Sequence, residues 1–350
     1  MNRFLEEVRE MPCALRRLAD YYAGEGHRNL QRFAEIADGC GEIIFAGMGS
    51  SESAPLAILP GLSAAGVKGA HGGSIGIRIA DAGEWLHYGT AAAPSALAVL
   101  VSQSGESFET RALAERGFVS SYVAITNNEH SSLAARANLT LPLCAGDEAS
   151  VSNKTYANTL AVLYLLSAVL RRKPIEAALE ELRSTADRLH ALDECAVEAA
   201  AQSMAQTEAL AFVGRGPAYA AARQCALTFI EGAKMLCAAF SGGAFRHGPV
   251  EALGPRLGLV VLAPSGKTQR LVERLASDAA ASQARVVCVS DGLPSAIPGV
   301  MALCLPPALN EELFPIAVSG LQNLLLYHLC LARGLEPGVL IHCEKITACE

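Results

Sequence analysis

The 350-residue sequence is poor in charged and aromatic side chains. Charged residues make up 18% and aromatic residues 5%, whereas an ordinary soluble chain carries about 25% charge. Hydrophobic residues reach 51%, which is too many for a disordered or long coiled-coil chain. Because a domain usually takes about 100–200 residues, the length predicts about two compact domains.

The sequence also lacks the signals of nucleic-acid binding, membrane insertion and secretion. It has 28 Lys and Arg against 35 Asp and Glu, a net charge of −7, and no dense basic run that would neutralise a phosphate backbone. The longest apolar run, 160–170, is shorter than the ~20 residues that cross a bilayer, so we interpret it as a core helix. The start, MNRFLEEVREMP, has no apolar signal segment. We expect a cytoplasmic protein without nucleic-acid or membrane partners.

Metal and nucleotide motifs are missing as well. The 11 cysteines are scattered without a C-x-x-C pair, so we expect reduced, mostly buried thiols and no metal. Two glycine loops, at 47–52 and 214–219, lack the third glycine of a dinucleotide fingerprint. The segment Ser265-Gly266-Lys267-Thr268 resembles the end of a P-loop, but Val261 stands where the first glycine would be. We therefore expect no cofactor.

What the sequence does contain is a repeated α/β pattern. Short apolar runs, each ending in a polar or small residue and followed by a helical pattern, predict parallel strands buried on both faces. The first set is 42–47, 97–102, 122–126 and 139–143. The second set, shifted by roughly 160–170 residues, is 210–214, 259–263, 286–290 and 301–305. The two sets match in order, which predicts two tandem doubly wound parallel-sheet domains related by internal duplication.

The rest of the chain frames these domains. We expect a helical segment at 1–40, a first domain at 41–170, a helical connector at 171–206, a second domain at 207–335 and a tail at 336–350. Pro174 fits the start of a connector helix. A short terminal tail of this kind either frays or folds over a site.

A serine-rich loop follows the second predicted strand. Ser102, Ser104 and Ser107 lie between a buried strand and a helix, where hydroxyls and helix N-terminal amides suit one small phosphate. Ser50 and Ser51 follow the first strand and can converge on the same ligand, because the carboxyl ends of parallel strands share one crevice. The alternative is ordinary helix capping by serine. Without Lys or Arg in these loops, we predict a sugar phosphate bound by neutral donors.

The second half contributes two titratable side chains. The helix after Gly216 is mostly apolar, so Gln224, Thr228 and Glu231 form a narrow polar stripe. A glycine-flanked loop then presents His247. The alternatives are an ion pair between Glu231 and Lys234 and a turn histidine bonded to its own backbone. Near a phosphate site, a Glu and a His are an acid and base pair for carbonyl chemistry.

These segments together resemble the sugar isomerase (SIS) domain family, and especially the isomerase half of glucosamine-6-phosphate synthase. The resemblance rests on 49–51, the S-Q-S-G-E-S loop at 102–107, the 148–156 segment, the Glu231 helix and the F-R-H-G-P loop at 245–249. It covers most of the chain. Here Ser152-Asn153-Lys154 stands where the family usually has S-T-K preceded by Ala.

The resemblance implies a role for each matching residue. Phosphate binding falls to Ser50, Ser51, Ser102, Gln103, Ser104 and Ser107, and sugar binding to Gly49, Val151, Ser152 and Lys154. Glu231 would move a proton between C1 and C2, and His247, reaching the site of the neighbouring subunit in a homodimer, would open the sugar ring. The C-terminal segment would fold over the site and supply Lys345, or His342 if the tail is aligned on Pro337.

The expected reaction follows from how the N-terminus differs from that of glucosamine-6-phosphate synthase. The chain begins Met1-Asn2-Arg3 rather than with the cysteine of a glutaminase domain, so we expect no glutamine hydrolysis. That favours conversion of an amino-sugar 6-phosphate to a ketose 6-phosphate plus ammonia. The alternatives are deglycation of a fructose-amine 6-phosphate and a non-catalytic sugar-phosphate sensor. The sequence does not name the sugar or the direction.

Overall fold

The structure is a computed structural model that describes residues 2–70, 72–189, 192–292, 296–307, 310–342, 344–347 and 349. The helices in these ranges are α1 (Arg3–Ala23), α2 (His27–Asp38), α3 (Ser50–Ser53), α4 (Leu59–Ala65), α5 (Ala82–Tyr88), α6 (Phe108–Glu115), α7 (Lys154–Leu170), α8 (Ile175–Arg188), α9 (Glu194–Met204), α10 (Ala218–Ala233), α11 (Gly242–Arg246), α12 (Gln269–Ala281) and α13 (Phe314–Ala332). The strands are β1 (Glu42–Gly47), β2 (Gly76–Asp81), β3 (Ala96–Val101), β4 (Tyr122–Thr126), β5 (Leu139–Pro142), β6 (Ala209–Gly214), β7 (Leu236–Ser241), β8 (Leu257–Leu262), β9 (Arg285–Asp291) and β10 (Val300–Leu305).

The strands form two parallel sheets of the same topology. The first sheet has the order β2-β1-β3-β4-β5, and the second has β10-β9-β8-β6-β7. Taken from the other edge, the second order is β7-β6-β8-β9-β10, which repeats the first strand for strand. Every named pairing is parallel. The prediction of two duplicated doubly wound α/β sheets is therefore confirmed.

The eight predicted strands are present, with shifts of at most two residues at either end. Their apolar runs are buried, as in β3, where all six residues are inaccessible. The sequence analysis missed β2 and β7. Both lie at a sheet edge, and most of their residues are exposed or half-buried. The pattern used to predict strands is an apolar run buried on both faces, and neither β2 nor β7 is covered in that way.

The predicted helices are also present. The first forty residues form α1 and α2, and α8 begins at Ile175, directly after Pro174. The apolar run at 160–170 lies in α7, where all but one of its residues are buried, which confirms a core helix. One described helix, Glu311–Ala332, is long and apolar enough by composition to cross a membrane, but 89% of its 18-residue apolar window is buried inside the protein.

Two compact units are built around the two sheets. The first-sheet unit comprises Cys13–Glu148, Lys154–Arg183 and His342–Glu350, and the second-sheet unit comprises Met1–Pro12, Ala149–Asn153 and Ser184–Ile341. The chain thus passes from one unit to the other inside α1, on either side of the short loop Ala149–Asn153, inside α8 and after Ile341. The division at 1–40, 41–170, 171–206, 207–335 and 336–350 stays a prediction.

The cysteines are less buried than predicted. The ten cysteines in the described ranges are free thiols, but only four of them are buried, namely Cys225, Cys237, Cys288 and Cys330. Burial raises the pKa of Cys237 and of Cys288 to about 12 and that of Cys330 to about 11. Such thiols stay protonated and unreactive at neutral pH. The expectation that most cysteines are buried is wrong, because Cys13, Cys195, Cys304 and Cys349 are exposed.

Candidate phosphate and sugar site

The two serine loops of the first-sheet unit begin at neighbouring strand ends. Strands β1 and β3 are paired, and a Cβ on Gly47 would lie 2.8 Å from both the Ser51 Cβ and the Val101 carbonyl oxygen. Only glycine therefore lets the loop after β1 fold back so closely against the end of β3. Gly49, with φ of 53°, makes the turn that starts α3 at Ser50.

The S-Q-S-G-E-S loop is held by its own hydroxyls. The Ser102 Oγ accepts from the Gly105 N–H at 3.1 Å and donates to the Ser107 Oγ at 3.1 Å, and the Ser104 Oγ accepts from the Glu106 N–H at 3.1 Å. Ser107 is the N-cap residue of α6, yet its side chain makes no capping hydrogen bond. Helix capping therefore does not account for Ser107, and its hydroxyl points to the Ser102 side of the loop.

Gly105 fixes the curvature of this loop. Its φ is 70°, and a Cβ there would overlap the Ser131 side chain and approach the Thr126 Oγ1 to 2.9 Å. The left-handed backbone and the close approach both demand glycine. The loop consequently wraps tightly at the N-terminus of α6, where amide groups and the helix dipole favour an anion.

A buried carboxylate lies beside the loop. The Glu148 side chain is 1% exposed, and it accepts from the Thr155 N–H at 2.9 Å and from the Lys345 ammonium at 2.9 Å. The Thr155 hydroxyl lies 2.7 Å from Glu148 Oε1 and 2.7 Å from Gln103 Oε1, and it can donate its one proton to either. The phosphate loop, the start of α7 and the C-terminal tail thus share one polar network.

The C-terminal tail is attached at two points in this unit. The Lys345 ammonium also donates to the Glu148 carbonyl oxygen at 2.6 Å, and the Thr347 carbonyl accepts from the Phe108 N–H, at the first turn of α6, at 3.1 Å. His342 is exposed. The side chain of Lys154 is buried, and its ammonium donates to the Asp147 carbonyl at 2.8 Å.

The polar stripe of α10 lies in the second-sheet unit. Gln224 and Thr228 are buried, and Glu231, near the C-terminal end of the helix, is half-buried. The Lys234 ammonium donates to the main-chain carbonyls of Glu231 and Val339. The amide of Gln224 donates to the Ser152 carbonyl at 3.3 Å, so the stripe begins beside the loop to which the family resemblance assigns sugar binding.

His247 follows the short helix α11. Its N–H donates to the Ala244 carbonyl at 3.1 Å, and its side chain is exposed and bonds to no part of the chain that the structure describes. The structure therefore does not support the alternative in which the His247 ring bonds to the backbone of its own turn. Gly248, with φ of 123°, turns the chain immediately after it.

The counterpart of the phosphate loop in the second sheet is occupied by the protein's own carboxylates. The amide of Ser265 donates to Asp291 Oδ1, and the amide of Lys267 donates to Glu311 Oε1 at 3.1 Å. A Cβ on Gly266 would overlap the Glu311 carboxylate. The amides that correspond to the first loop are thus already paired with anions, which agrees with the absence of a P-loop at 265–268.

The predicted site residues fall into two groups. The first-sheet unit contains Gly49, Ser50, Ser51, Ser102, Gln103, Ser104, Ser107, Lys154 and Lys345, and the second-sheet unit contains Val151, Ser152, Glu231 and His247. The sequence analysis did not single out Thr155 and Glu148 as functional. The only sequence signal for these two residues was that both lie within the 148–156 segment, which carries part of the family resemblance. Among the described residues, no group of three or more His, Cys, Asp or Glu side chains could hold a metal ion.

Comparison with known proteins places this fold in a family. The SIS domain model matches residues 39–169 and 203–333, one match for each sheet. The protein therefore belongs to the SIS domain family, and it carries two copies of the domain.

Its relatives include several glutamine–fructose-6-phosphate aminotransferases. The chain is 29% identical over 349 residues to glutamine–fructose-6-phosphate aminotransferase (isomerizing) of Aeropyrum pernix, covering 95% of this chain and 55% of the relative. The enzyme of the same name from Zymomonas mobilis is 28% identical over 277 residues, covering 74% of this chain and 45% of the relative. The chain thus spans about half the length of these relatives.

Solved structures share the fold. The C-terminal domain of glucosamine-fructose-6-phosphate aminotransferase from Francisella tularensis superposes with a TM-score of 0.86 at 19% identity, covering 97% of this chain and 98% of that one. Glucosamine-6-phosphate deaminase from Thermotoga maritima superposes with a TM-score of 0.74 at 18% identity, covering 98% and 99%. At these identities the likeness concerns the fold.

The difference between the two loops makes a prediction. Ser104→Ala removes a hydroxyl from the loop that we expect to hold the phosphate, and hydrogen bonds to a charged group contribute about 1.5–3 kcal/mol. We expect the affinity for inorganic phosphate, measured by isothermal titration calorimetry, to fall about 10-fold or more. Lys267→Ala, in the corresponding loop of the second sheet, should leave it unchanged. A larger loss of affinity with Lys267→Ala than with Ser104→Ala would indicate that phosphate binds in the second-sheet unit and would contradict the prediction.

Proposed function

We propose that the protein is an amino-sugar 6-phosphate isomerase and deaminase. The substrate, such as glucosamine-6-phosphate, would react with water to give a ketose 6-phosphate and ammonia through an enolamine or enediol. The protein would need no cofactor for proton transfer at carbon. The proposal combines the described geometry with membership of the SIS family and the names of the relatives.

The observation that carries the proposal is the polar network of the first-sheet unit. The neutral donors of the 102–107 loop suit a phosphate monoester rather than a polyphosphate, since polyphosphate sites add Lys, Arg or a metal ion. Gln103 joins this loop to Thr155, and Glu148 joins Thr155 to Lys345. A phosphate loop and a lysine are therefore connected through three hydrogen-bonded side chains.

The acid and base roles fall to Glu231 and His247. Glu231 is half-buried on a mostly apolar helix, where a carboxylate is exposed to less water and can move a proton between C1 and C2. His247 is exposed on a glycine-flanked loop, and an imidazole can both accept and donate a proton, so it suits ring opening. Its exposure supports a homodimer in which His247 completes the site of the neighbouring subunit.

The tail role falls to Lys345 rather than to His342. The ammonium of Lys345 is bonded to Glu148 inside the network just described, while His342 is exposed. Val151, Ser152, Gly49 and Lys154 complete the proposed sugar contacts. A cytoplasmic location goes with such a small-molecule enzyme and is part of the proposal.

The reaction is tested with glucosamine-6-phosphate, galactosamine-6-phosphate and fructose-lysine 6-phosphate, each incubated separately while ammonia, hexose phosphate and free lysine are measured. We expect ammonia and a ketose phosphate from an amino-sugar phosphate. Glu231→Gln should lower kcat at least ~10²-fold, because it removes the general base. Glu198→Gln, an exposed position on α9, is the matched control and should leave kcat unchanged.

The other outcomes separate the alternatives. Release of free lysine would identify a deglycase. Tight binding of all three substrates without turnover, unchanged by Glu231→Gln, would contradict an enzyme and favour a sugar-phosphate sensor. No binding at all would contradict the phosphate site itself.

The shared site is tested by mixing two inactive variants. Glu231→Gln and His247→Gln subunits each lack one group, and a mixed dimer assembles one site with both groups intact. After unfolding and refolding together, activity should return to about a quarter of wild type, because half the dimers are mixed and each has one complete site. Activity that stays at the level of the separate variants would show that both groups come from one chain.

A further inference from the structure

A second carboxylate, Glu7, is buried in the second-sheet unit. Its side chain on α1 is 1% exposed, and one oxygen accepts from the Ala149 N–H at 2.7 Å and from Arg3 Nε at 3.1 Å. The other oxygen accepts from the Ser150 N–H at 3.4 Å, from the Ser150 hydroxyl and from the Asn153 amide at 3.2 Å. Four of these five donors belong to the loop Ala149–Asn153.

The same loop is bound from two other directions. The Gln224 amide, on the helix that carries Glu231, donates to the Ser152 carbonyl at 3.3 Å. A Cβ on Gly338 would lie 2.7 Å from Phe4 Cβ and 3.0 Å from Ser150 Cβ, so the beginning of the tail packs directly on the loop and on α1. Helix α1, helix α10 and the tail thus meet around five residues.

Asn153 explains the departure from the usual S-T-K sequence. Its amide nitrogen lies within hydrogen-bond reach of Glu7 Oε2, the Ser150 Oγ and the Val151 carbonyl, at 3.2, 3.3 and 3.2 Å. The side chain is 1% exposed. An amide with two protons serves two of these acceptors at a time, whereas threonine would offer one proton. Asn153 is therefore matched to the Glu7 carboxylate.

The loop Ala149–Asn153 is flanked in sequence by residues of the Glu148 network. Glu148 directly precedes it, and Lys154 and Thr155 directly follow it. Glu148 and Thr155 belong to the network that contains Gln103 and Lys345. The five-residue loop is therefore continuous in sequence with that network at both ends, and fixing the loop fixes the backbone at Val151 and Ser152.

We propose that Glu7 is a positioning residue for the sugar-binding loop. Its carboxylate holds the Ala149 and Ser150 amides and the Asn153 side chain, so that Val151 and Ser152 are presented to the sugar beside the helix of Glu231. The inference rests on the proposed function for the identity of the ligand. It assigns Glu7 to the sugar part of the substrate and not to its phosphate.

The test is Glu7→Gln, with Glu10→Gln as the matched control. Gln keeps one acceptor oxygen, but its NH₂ group would face the three donors that now bond to Glu7 Oε2. Glu10 is on the same helix, and its side chain is exposed where that of Glu7 is buried. Two quantities are measured in the full-length protein: amide hydrogen exchange of the 149–153 segment, and the affinities for fructose-6-phosphate and for inorganic phosphate by calorimetry.

The expected result is a split between the two ligands. In Glu7→Gln, the Ala149 and Ser150 amides should exchange faster, and the affinity for fructose-6-phosphate should fall about 10-fold or more. The affinity for inorganic phosphate should stay at the wild-type value, because the 102–107 loop is untouched. Glu10→Gln should match wild type in both measurements.

Three results would overturn the proposal. Unchanged exchange would show that Glu7 does not hold the loop. Faster exchange with unchanged sugar-phosphate affinity would show that the loop does not position the sugar. An equal loss for both ligands would indicate general destabilisation.

The failure of the proposed reaction is recognised separately. If wild type binds fructose-6-phosphate but releases no ammonia from any amino-sugar phosphate, the deaminase proposal fails and the role of Glu7 is still decided by the binding data. If wild type binds inorganic phosphate but not fructose-6-phosphate, the deaminase proposal and the proposed role of Glu7 are both contradicted.

A double variant tests the pairing itself. Asn153→Asp places two carboxylates in contact and should weaken fructose-6-phosphate binding as Glu7→Gln does. Combining the two changes exchanges amide and carboxylate across the pair, so part of the lost affinity should return. Losses that simply add would show that the two side chains act independently.

Discussion

The arrangement of the candidate site depends on the burial of the Glu148 carboxylate. A carboxylate that is 1% exposed has lost its hydration, and removing it from water is costly unless charged and hydrogen-bonding partners replace that water. The partners here are the Thr155 amide and the Lys345 ammonium, with the Thr155 hydroxyl, which Glu148 shares with Gln103, close by. Because they come from the start of α7 and from the tail, satisfying one buried charge fixes two distant segments of the sequence. Glu7 does the same for α1 and the loop that follows Glu148.

The two sheets show how a duplicated fold can be used in different ways. Both have the same strand order, and both place a glycine-containing loop after the central strand β3 or β8. In the first, serine hydroxyls organise the loop and leave its chemistry suited to an external anion. In the second, Asp291 and Glu311 supply the anions from the chain itself. The two halves keep one topology, and a few side chains decide in which half the loop amides are already paired with the chain's own carboxylates.

The sequence analysis succeeded where burial determines the residue type. Strands such as β3 and β4 are buried on both faces, so their apolar runs stand out. Gly47 and Gly105 lie at close approaches that only glycine allows. It failed for β2 and β7, two edge strands in which most residues are exposed or half-buried.

The site was predicted only in part for a related reason. The Ser102–Ser107 loop is local in sequence, so its pattern is visible in six consecutive residues. The bonds from Glu7 to Ser150 and from Glu148 to Lys345 join residues 143 and 197 positions apart, and no periodicity links such pairs. Sequence reasoning could name Lys345 from a family resemblance, but the carboxylate that holds it becomes apparent only when the chain is folded.

The central claim is that the protein moves a proton between C1 and C2 of a sugar phosphate with Glu231, and it is tested most directly by solvent isotope exchange. Fructose-6-phosphate is incubated with the protein in D₂O, without ammonia, and the deuterium at C1 is measured by proton NMR. An enediol formed by Glu231 predicts deuterium at C1 with wild type and none above background with Glu231→Gln. Fructose-6-phosphate that binds yet keeps its C1 protons, or exchange that survives in Glu231→Gln, would contradict the account.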